Sequence, residues 1–128
     1  MARRPLILVV DDEHDFRAIV SHVLERGGYD VVAAGNGEDG LKMFADYGPD
    51  LVVLDGNLPD MDDIDVCRKL RLTEKGKTVP VVMCTVRSTV GTVGEGLSAG
   101  VTDYVVKPFE MEELLERVAK ALKKAAGR

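Results

Sequence analysis

The chain predicts a doubly wound (βα)5 domain, a five-stranded parallel sheet with helices on both faces. Two patterns carry this expectation. Apolar runs that do not alternate with polar residues, such as Leu6-Ile-Leu-Val-Val10 and Leu51-Val-Val-Leu54, suit strands buried on both faces. Between such runs, apolar residues recur at helical spacing, so strand and helix alternate along the chain. A length of 128 residues with 45% apolar residues suits one domain over residues 1–128, its core at about residues 6–122.

Strand one, Leu6 to Val10, is expected to stop at Asp11-Asp12-Glu13. Phe16, Ile19, Val20, Val23 and Leu24 then fall on one face of helix one. Gly27-Gly28 suits its C-terminal cap. Strand two covers Tyr29 to Ala34, followed by a Gly35-Asn36-Gly37 loop. Helix two, from about Glu38 to Tyr47, should turn Leu41, Phe44 and Ala45 inward. Gly40 in its first turns costs about 1 kcal/mol against alanine. Gly48-Pro49 precedes strand three, which runs to Asp55.

Helix three should begin at Asp62 or Asp63 and bury Ile64, Cys67 and Leu70, with Asp62 and Asp65 approximating a capping box. Strand four, Val79 to Cys84, ends at Thr85 and tolerates Pro80 near its start. Helix four is expected at Ser88 to Ala99, although Gly91, Gly94 and Gly96 make it the weakest helix. Strand five, Asp103 to Val106, ends at Lys107-Pro108. A fifth helix then buries Met111, Leu114, Leu115, Val118, Ala119 and Leu122.

Composition excludes several classes. Seventeen basic against 22 acidic residues leave a net charge of -5, which argues against direct nucleic-acid binding by this domain. No apolar segment approaches the roughly 18 residues of a membrane span. The basic Met1-Ala-Arg-Arg-Pro5 is followed by too short an apolar run for a signal peptide, so a cytoplasmic protein is expected. Cys67 and Cys84 lack metal-like spacing and read as buried, reduced thiols. His14 and His22 read as surface or boundary residues. The acidic run from Asp60 to Asp65 fails as a calcium loop, because its twelfth position is Arg71 and no glycine holds the sixth.

The chemistry concentrates at the carboxyl ends of the strands, where open α/β sheets place their ligands. Asp11 and Asp12 follow strand one, Asp55 ends strand three, Thr85 ends strand four and Lys107 follows strand five. Taken alone, Asp55 reads as a metal ligand, a nucleophile or a helix cap. Three carboxylates in one crevice repel unless a cation or a proton offsets them. An all-oxygen set that retains waters suits Mg²⁺ or Mn²⁺ rather than zinc. Lys107 and Thr85 then suit an anion at the metal, such as a phosphoryl group. Asp55 would attack phosphorus and become an acyl phosphate, with the metal and Lys107 offsetting charge on the equatorial oxygens.

From about Leu6 to Leu122 the chain resembles the receiver domain of two-component response regulators. Four motifs carry the resemblance: Val-Val-Asp11-Asp12-Glu13, then Leu-Asp55-Gly-Asn57-Leu-Pro59-Asp-Met-Asp62, then Thr85, and finally Ala99-Gly-Val-Thr-Asp-Tyr104-Val-Val-Lys107-Pro108-Phe109. It implies a flavodoxin-like fold, strand order 2-1-3-4-5, with Asp55 as phosphoacceptor. It also implies Asp12 as a direct Mg²⁺ ligand, Asp11 acting through a metal-bound water, and the Asn57 backbone carbonyl as a further ligand. Lys107 would pair with the phosphoryl group, its bond to Pro108 cis. Thr85 and Tyr104 would be the paired switch residues. The implied donor is a phosphohistidine on a sensor kinase or phosphotransfer protein, or a small acyl phosphate. The implied output surface is the face of helix four, strand five and helix five, used for a downstream partner, a fused output domain or dimerisation. The domain would act alone through partner proteins or as the receiver of a longer regulator.

Three departures from the family pattern stand out: Asp63 in place of glycine, Val86 in place of a small residue, and the glycines of helix four. Val86 would narrow access to Asp55 and slow phosphorylation or hydrolysis, and Arg87 lies where the family tunes phosphoryl lifetime. A pseudo-receiver, working as a phosphorylation-independent interaction module, is the alternative on the same fold. A dehalogenase-type phosphatase would need a second acid where Asn57 stands. A flavin carrier would meet repulsion between its phosphate and Asp11-Asp12-Glu13.

Overall fold

The computed structural model describes residues 3–55, 58–85 and 98–127. Strands β1 (Leu6–Val10), β2 (Asp30–Ala34), β3 (Leu51–Asp55), β4 (Val81–Thr85) and β5 (Asp103–Val106) form one parallel sheet in the order β2-β1-β3-β4-β5. Helices α1 (His14–Arg26), α2 (Gly37–Tyr47) and α3 (Asp63–Leu72), together with a C-terminal helix (Met111–Ala126), cover its faces. The alternation of strand and helix expected for a doubly wound domain is therefore observed, as is the strand order. Most of the expected fourth helix lies outside the described residues, with Val86, Arg87, Gly91, Gly94 and Gly96; Asn57 lies outside them as well.

All five residues of β3 and of β4 are buried, which is why neither strand alternates in polarity. Their side chains divide between two apolar clusters. Leu8, Val10, Val52, Leu54, Val81 and Met83 face α2 and α3, with Phe44, Ile64 and Leu70. Ile7, Val9, Leu51, Val53, Val82, Cys84 and Val105 face α1 and the C-terminal helix, with Leu24, Leu114 and Val118. Parallel register pairs Val9 with Val53 and Asp55 with Cys84, so the strands reach their carboxyl ends nearly in step.

Several local expectations need correction. Ile19 is 51% exposed, because the contact stripe of α1 narrows to Val20 and Leu24 at its centre. Ala45 is exposed and Gly40 is buried instead: a Cβ at Gly40 would lie 2.9 Å from Val10 Cγ2. The glycine that weakens α2 by propensity thus lets it pack against β1. On the C-terminal helix Ala121 is buried and Ala119 is exposed. Strand four begins at Val81, with Pro80 just before it accepting the Val52 N–H. Asp62 caps α3 through the Ile64 N–H, one residue earlier than the capping-box position, while Asp65 receives Arg68. His14 and His22 are exposed, and Cys67 and Cys84 are buried thiols, as read from the sequence.

After α3 the chain turns through a 3₁₀ turn, Lys75–Lys77, built on Thr73, whose hydroxyl donates to the Leu70 carbonyl and accepts the Gly76 N–H. A Cβ at Gly76 would stand 1.8 Å from the Leu70 oxygen, a clash that only backbone movement relieves. Gly76→Ala should therefore cost about 2 kcal/mol or more in urea unfolding without altering the residues at the opposite end of the sheet.

Candidate functional site

The chain reverses its winding between β1 and β3, since β1 leads outward to β2 and β3 leads the other way to β4. Ligand crevices of open sheets form at such a point. Asp11, Asp12 and Asp55 meet there, each offering a carboxylate oxygen within 4.8 Å of the others. Asp11 and Asp55 are buried and Asp12 is exposed, so the cluster opens to solvent on one side.

Backbone contacts hold Asp11 firmly. Its N–H donates to the Ala34 carbonyl, its Oδ1 accepts the Glu13 N–H, and its carbonyl accepts Arg17 from α1 at 2.7 Å. Burial pushes the Asp11 carboxyl up to about 6. The Glu13 N–H and Lys107 act against that rise, while the charges of Asp55 and Asp12 add to it.

Lys107 reaches the cluster from the end of β5. Its own N–H is anchored on the Thr85 carbonyl, and its Nζ donates to Asp55 Oδ1 at 2.9 Å and lies 3.9 Å from Asp11 Oδ2. Burial alone would lower its pKa, but the Asp55 hydrogen bond and the charges of Asp55 and Asp11 outweigh it and raise it instead. The ammonium is therefore fully charged at neutral pH. The Lys107–Pro108 bond is cis, as the resemblance implied. Beside the cluster, burial pushes the Cys84 thiol up to about 12, so it stays protonated and inert.

The remaining expected residues are placed by the strands. Thr85 is buried at the carboxyl end of β4, one residue beyond the pairing of Cys84 with Asp55. Tyr104 is half-buried and pairs with Met83, two positions short of that edge, packing against the apolar cluster that contains α3. Asp63, at the glycine position of the family pattern, is buried in the first turn of α3. Three features escaped the sequence reading. Asp60 clasps α2, accepting the Gly37 and Glu38 N–H groups at 2.7 and 2.9 Å, and these bonds lower its pKa. Arg17 pins Asp11, and Phe16 lies beside the Lys107 ammonium. Only the acidity of Asp60 after Pro59 hinted at the first, and no local signal marked the others.

The donor set fits a small, hard divalent cation. All its atoms are carboxylate oxygens, they lie close enough to share one ion, and the exposed Asp12 leaves room for retained waters. A cluster of this kind penalises the cation-free fold. The folded pKa of Asp11 lies above its ordinary value, so the folded state binds more protons than the unfolded chain between about pH 4 and 6, and stability falls as pH rises through that window. Asp11→Asn keeps an acceptor for the Glu13 N–H and removes the charge. Without divalent ions it should raise the unfolding free energy by about 1–3 kcal/mol at about pH 7.5, the gain shrinking towards about pH 4, as read by urea titration.

Comparison with known proteins agrees with this geometry. The family model described as the response regulator receiver domain matches residues 7–119. The response regulator MprA of Mycobacterium sp. (strain KMS) is 41% identical over 120 residues, 94% of this chain and 51% of that protein. The chain spans about half the length of the curated relatives it matches. Among solved structures, the chemotaxis protein CheY4 of Vibrio cholerae superposes with a TM-score of 0.89 at 30% identity, covering 92% of this chain and 98% of that one. The receiver domain of the sensor histidine kinase PA1611 of Pseudomonas aeruginosa PAO1, solved with a magnesium ion in its active site cleft, gives 0.86 at 27% identity, covering 94% and 98%. With the sheet order, the acidic cluster and the family match in agreement, the chain belongs to the receiver domains of two-component response regulators.

Proposed function

We propose that this domain is a phosphoryl-accepting switch that takes a phosphoryl group onto Asp55. The observation that carries the reading is the Lys107 ammonium, 2.9 Å from Asp55 Oδ1 inside a cluster of three carboxylates. Such a cation cannot itself ligate a metal, and beyond offsetting the carboxylates it suits an oxyanion arriving at the metal. Asp11, Asp12 and Asp55 would hold Mg²⁺, or Mn²⁺ in its place, with the Asn57 backbone carbonyl as a further ligand. The ion supplies positive charge that offsets both the nucleophile and the phosphoryl oxygens. The magnesium ion seen in the PA1611 receiver supports this assignment.

An oxygen of the Asp55 carboxylate attacks phosphorus while the bond to the donor breaks. The electron pair leaves on the imidazole of a kinase or phosphotransfer protein, or on the carboxylate of a small acyl phosphate. Lys107 exchanges its bond to the carboxylate for one to a phosphoryl oxygen, and Thr85, on the neighbouring strand end, donates its hydroxyl to another. Thr85 and Tyr104 then form the proposed switch, its output read by a partner, a fused output domain or a second copy at the β5 and C-terminal helix face. No helix among the described residues is long and apolar enough to cross a membrane. We place the domain in the cytoplasm. A phosphorylation-independent module gains no support, because Asp12, Asp55 and Lys107 are all present.

Incubation with Mg²⁺ and acetyl phosphate should add the mass of one phosphoryl group. Asp55→Asn should keep the wild-type circular dichroism spectrum and add none. A wild-type protein left unmodified both by acetyl phosphate and by its kinase would overturn the reading.

A further inference from the structure

Lys107 is contacted on two sides. Asp55 and Asp11 face its ammonium on one, and on the other Nζ stands 4.7 Å from the centroid of the Phe16 ring. Phe16 is itself braced by Phe109, whose ring meets it edge-on with centroids 5.9 Å apart and planes at 79°. Both rings rest on the apolar cluster beneath α1 and the C-terminal helix. The turn of α1 that carries Phe16 is tied to the acidic edge, because its neighbour Arg17 donates to the Asp11 carbonyl. Phe16, Lys107 and the acids thus form one connected unit.

The chemistry of a ring suits this task better than that of a polar side chain. A carboxylate beside Lys107 would compete with Asp55 for the ammonium, and a hydroxyl would take one of its three N–H donors. An aromatic face attracts the charge and leaves every N–H available. It also restrains the tip of a flexible four-carbon stem whose backbone N–H is held by the Thr85 carbonyl. Phe16 is half-buried, at the margin of the cluster that Val20 and Leu24 fill from the same helix.

We propose that Phe16, braced by Phe109, is a positioning residue that seats the Lys107 ammonium against Asp55 and, on the phosphoacceptor reading above, against the incoming phosphoryl group. The test compares Phe16→Leu, which keeps an apolar side chain, with Phe16→Trp, which keeps an aromatic face. In protein without Mg²⁺, the Lys107 ε-methylene protons should be shielded by the ring in wild type and in Phe16→Trp, and should lose that shielding in Phe16→Leu. Phosphorylation by acetyl phosphate should slow about three- to tenfold in Phe16→Leu and stay within about twofold of wild type in Phe16→Trp. In a Lys107→Met background, adding Phe16→Leu should slow the residual rate no further. Unshielded ε-methylene protons in wild type would overturn the proposal, as would equal rates in wild type and Phe16→Leu. An equal loss in Phe16→Leu and Phe16→Trp, or the same slowing in the Lys107→Met background, would reduce Phe16 to packing. If wild type accepts no phosphoryl group at all, the phosphoacceptor reading fails, and the proton shielding alone decides whether the seat exists.

Discussion

The structure depends on the repulsion among Asp11, Asp12 and Asp55. Like charges this close, two of them buried, are held together by the register of the sheet and by the Lys107 ammonium beside them. Ladder register fixes the ends of β1 and β3 side by side, and burial of both faces of β3 makes a shift of either strand costly. The opposing cation comes from a third strand end, and Lys107 is carried to the cluster by the pairing of β5 with β4. A site of this kind stores electrostatic energy in the cation-free state, which a bound cation would release.

Connections leading away from the cluster are short. Asp60, on the segment following Asp55, bonds the first two N–H groups of α2, and a Cβ at Gly37 would collide with the Met61 side chain. The start of α2 is therefore docked on the loop beyond the acceptor. On the other side Lys107 bonds the Thr85 carbonyl, so β4 and β5 share one anchor at the edge. Further from the edge, the Cys67 thiol donates to the Ala99 carbonyl and Arg71 donates to the carbonyls of Gly76, Val79 and Gly100. These bonds fix the chain entering β5 to α3. The described segments on both sides of Asp55 are thus tied to neighbouring elements by hydrogen bonds.

The sequence was legible wherever a signal repeats or sits at a boundary. Apolar runs ending in acids, in Thr85 or in Lys107 gave the strands, their shared edge and all four members of the charged cluster. It was less legible where a contact decides between chemically similar residues. Ala119 and Ala121 are interchangeable to a periodicity argument, yet the packing of the C-terminal helix buries only the second. Gly40 carried a propensity cost, and its compensation lies in Val10, thirty residues away in the chain. Phe16 matched the helical stripe well enough to pass as core. Its contact with Lys107 spans most of the chain and could not be read from spacing.

Control at the proposed acceptor would rest on where the lysine stands rather than on whether it is charged. Lys107 has a raised pKa beside two carboxylates, so no physiological pH removes its proton. Its charge is constant, and the variable left is the position of Nζ. Asp55 binds that ammonium now and would compete with a phosphoryl oxygen for it during transfer. A second restraint that needs no proton acceptor would keep the ammonium in place while the hydrogen bond changed partner. An aromatic face supplies such a restraint, because its attraction for a cation does not depend on which oxygen the N–H groups point to.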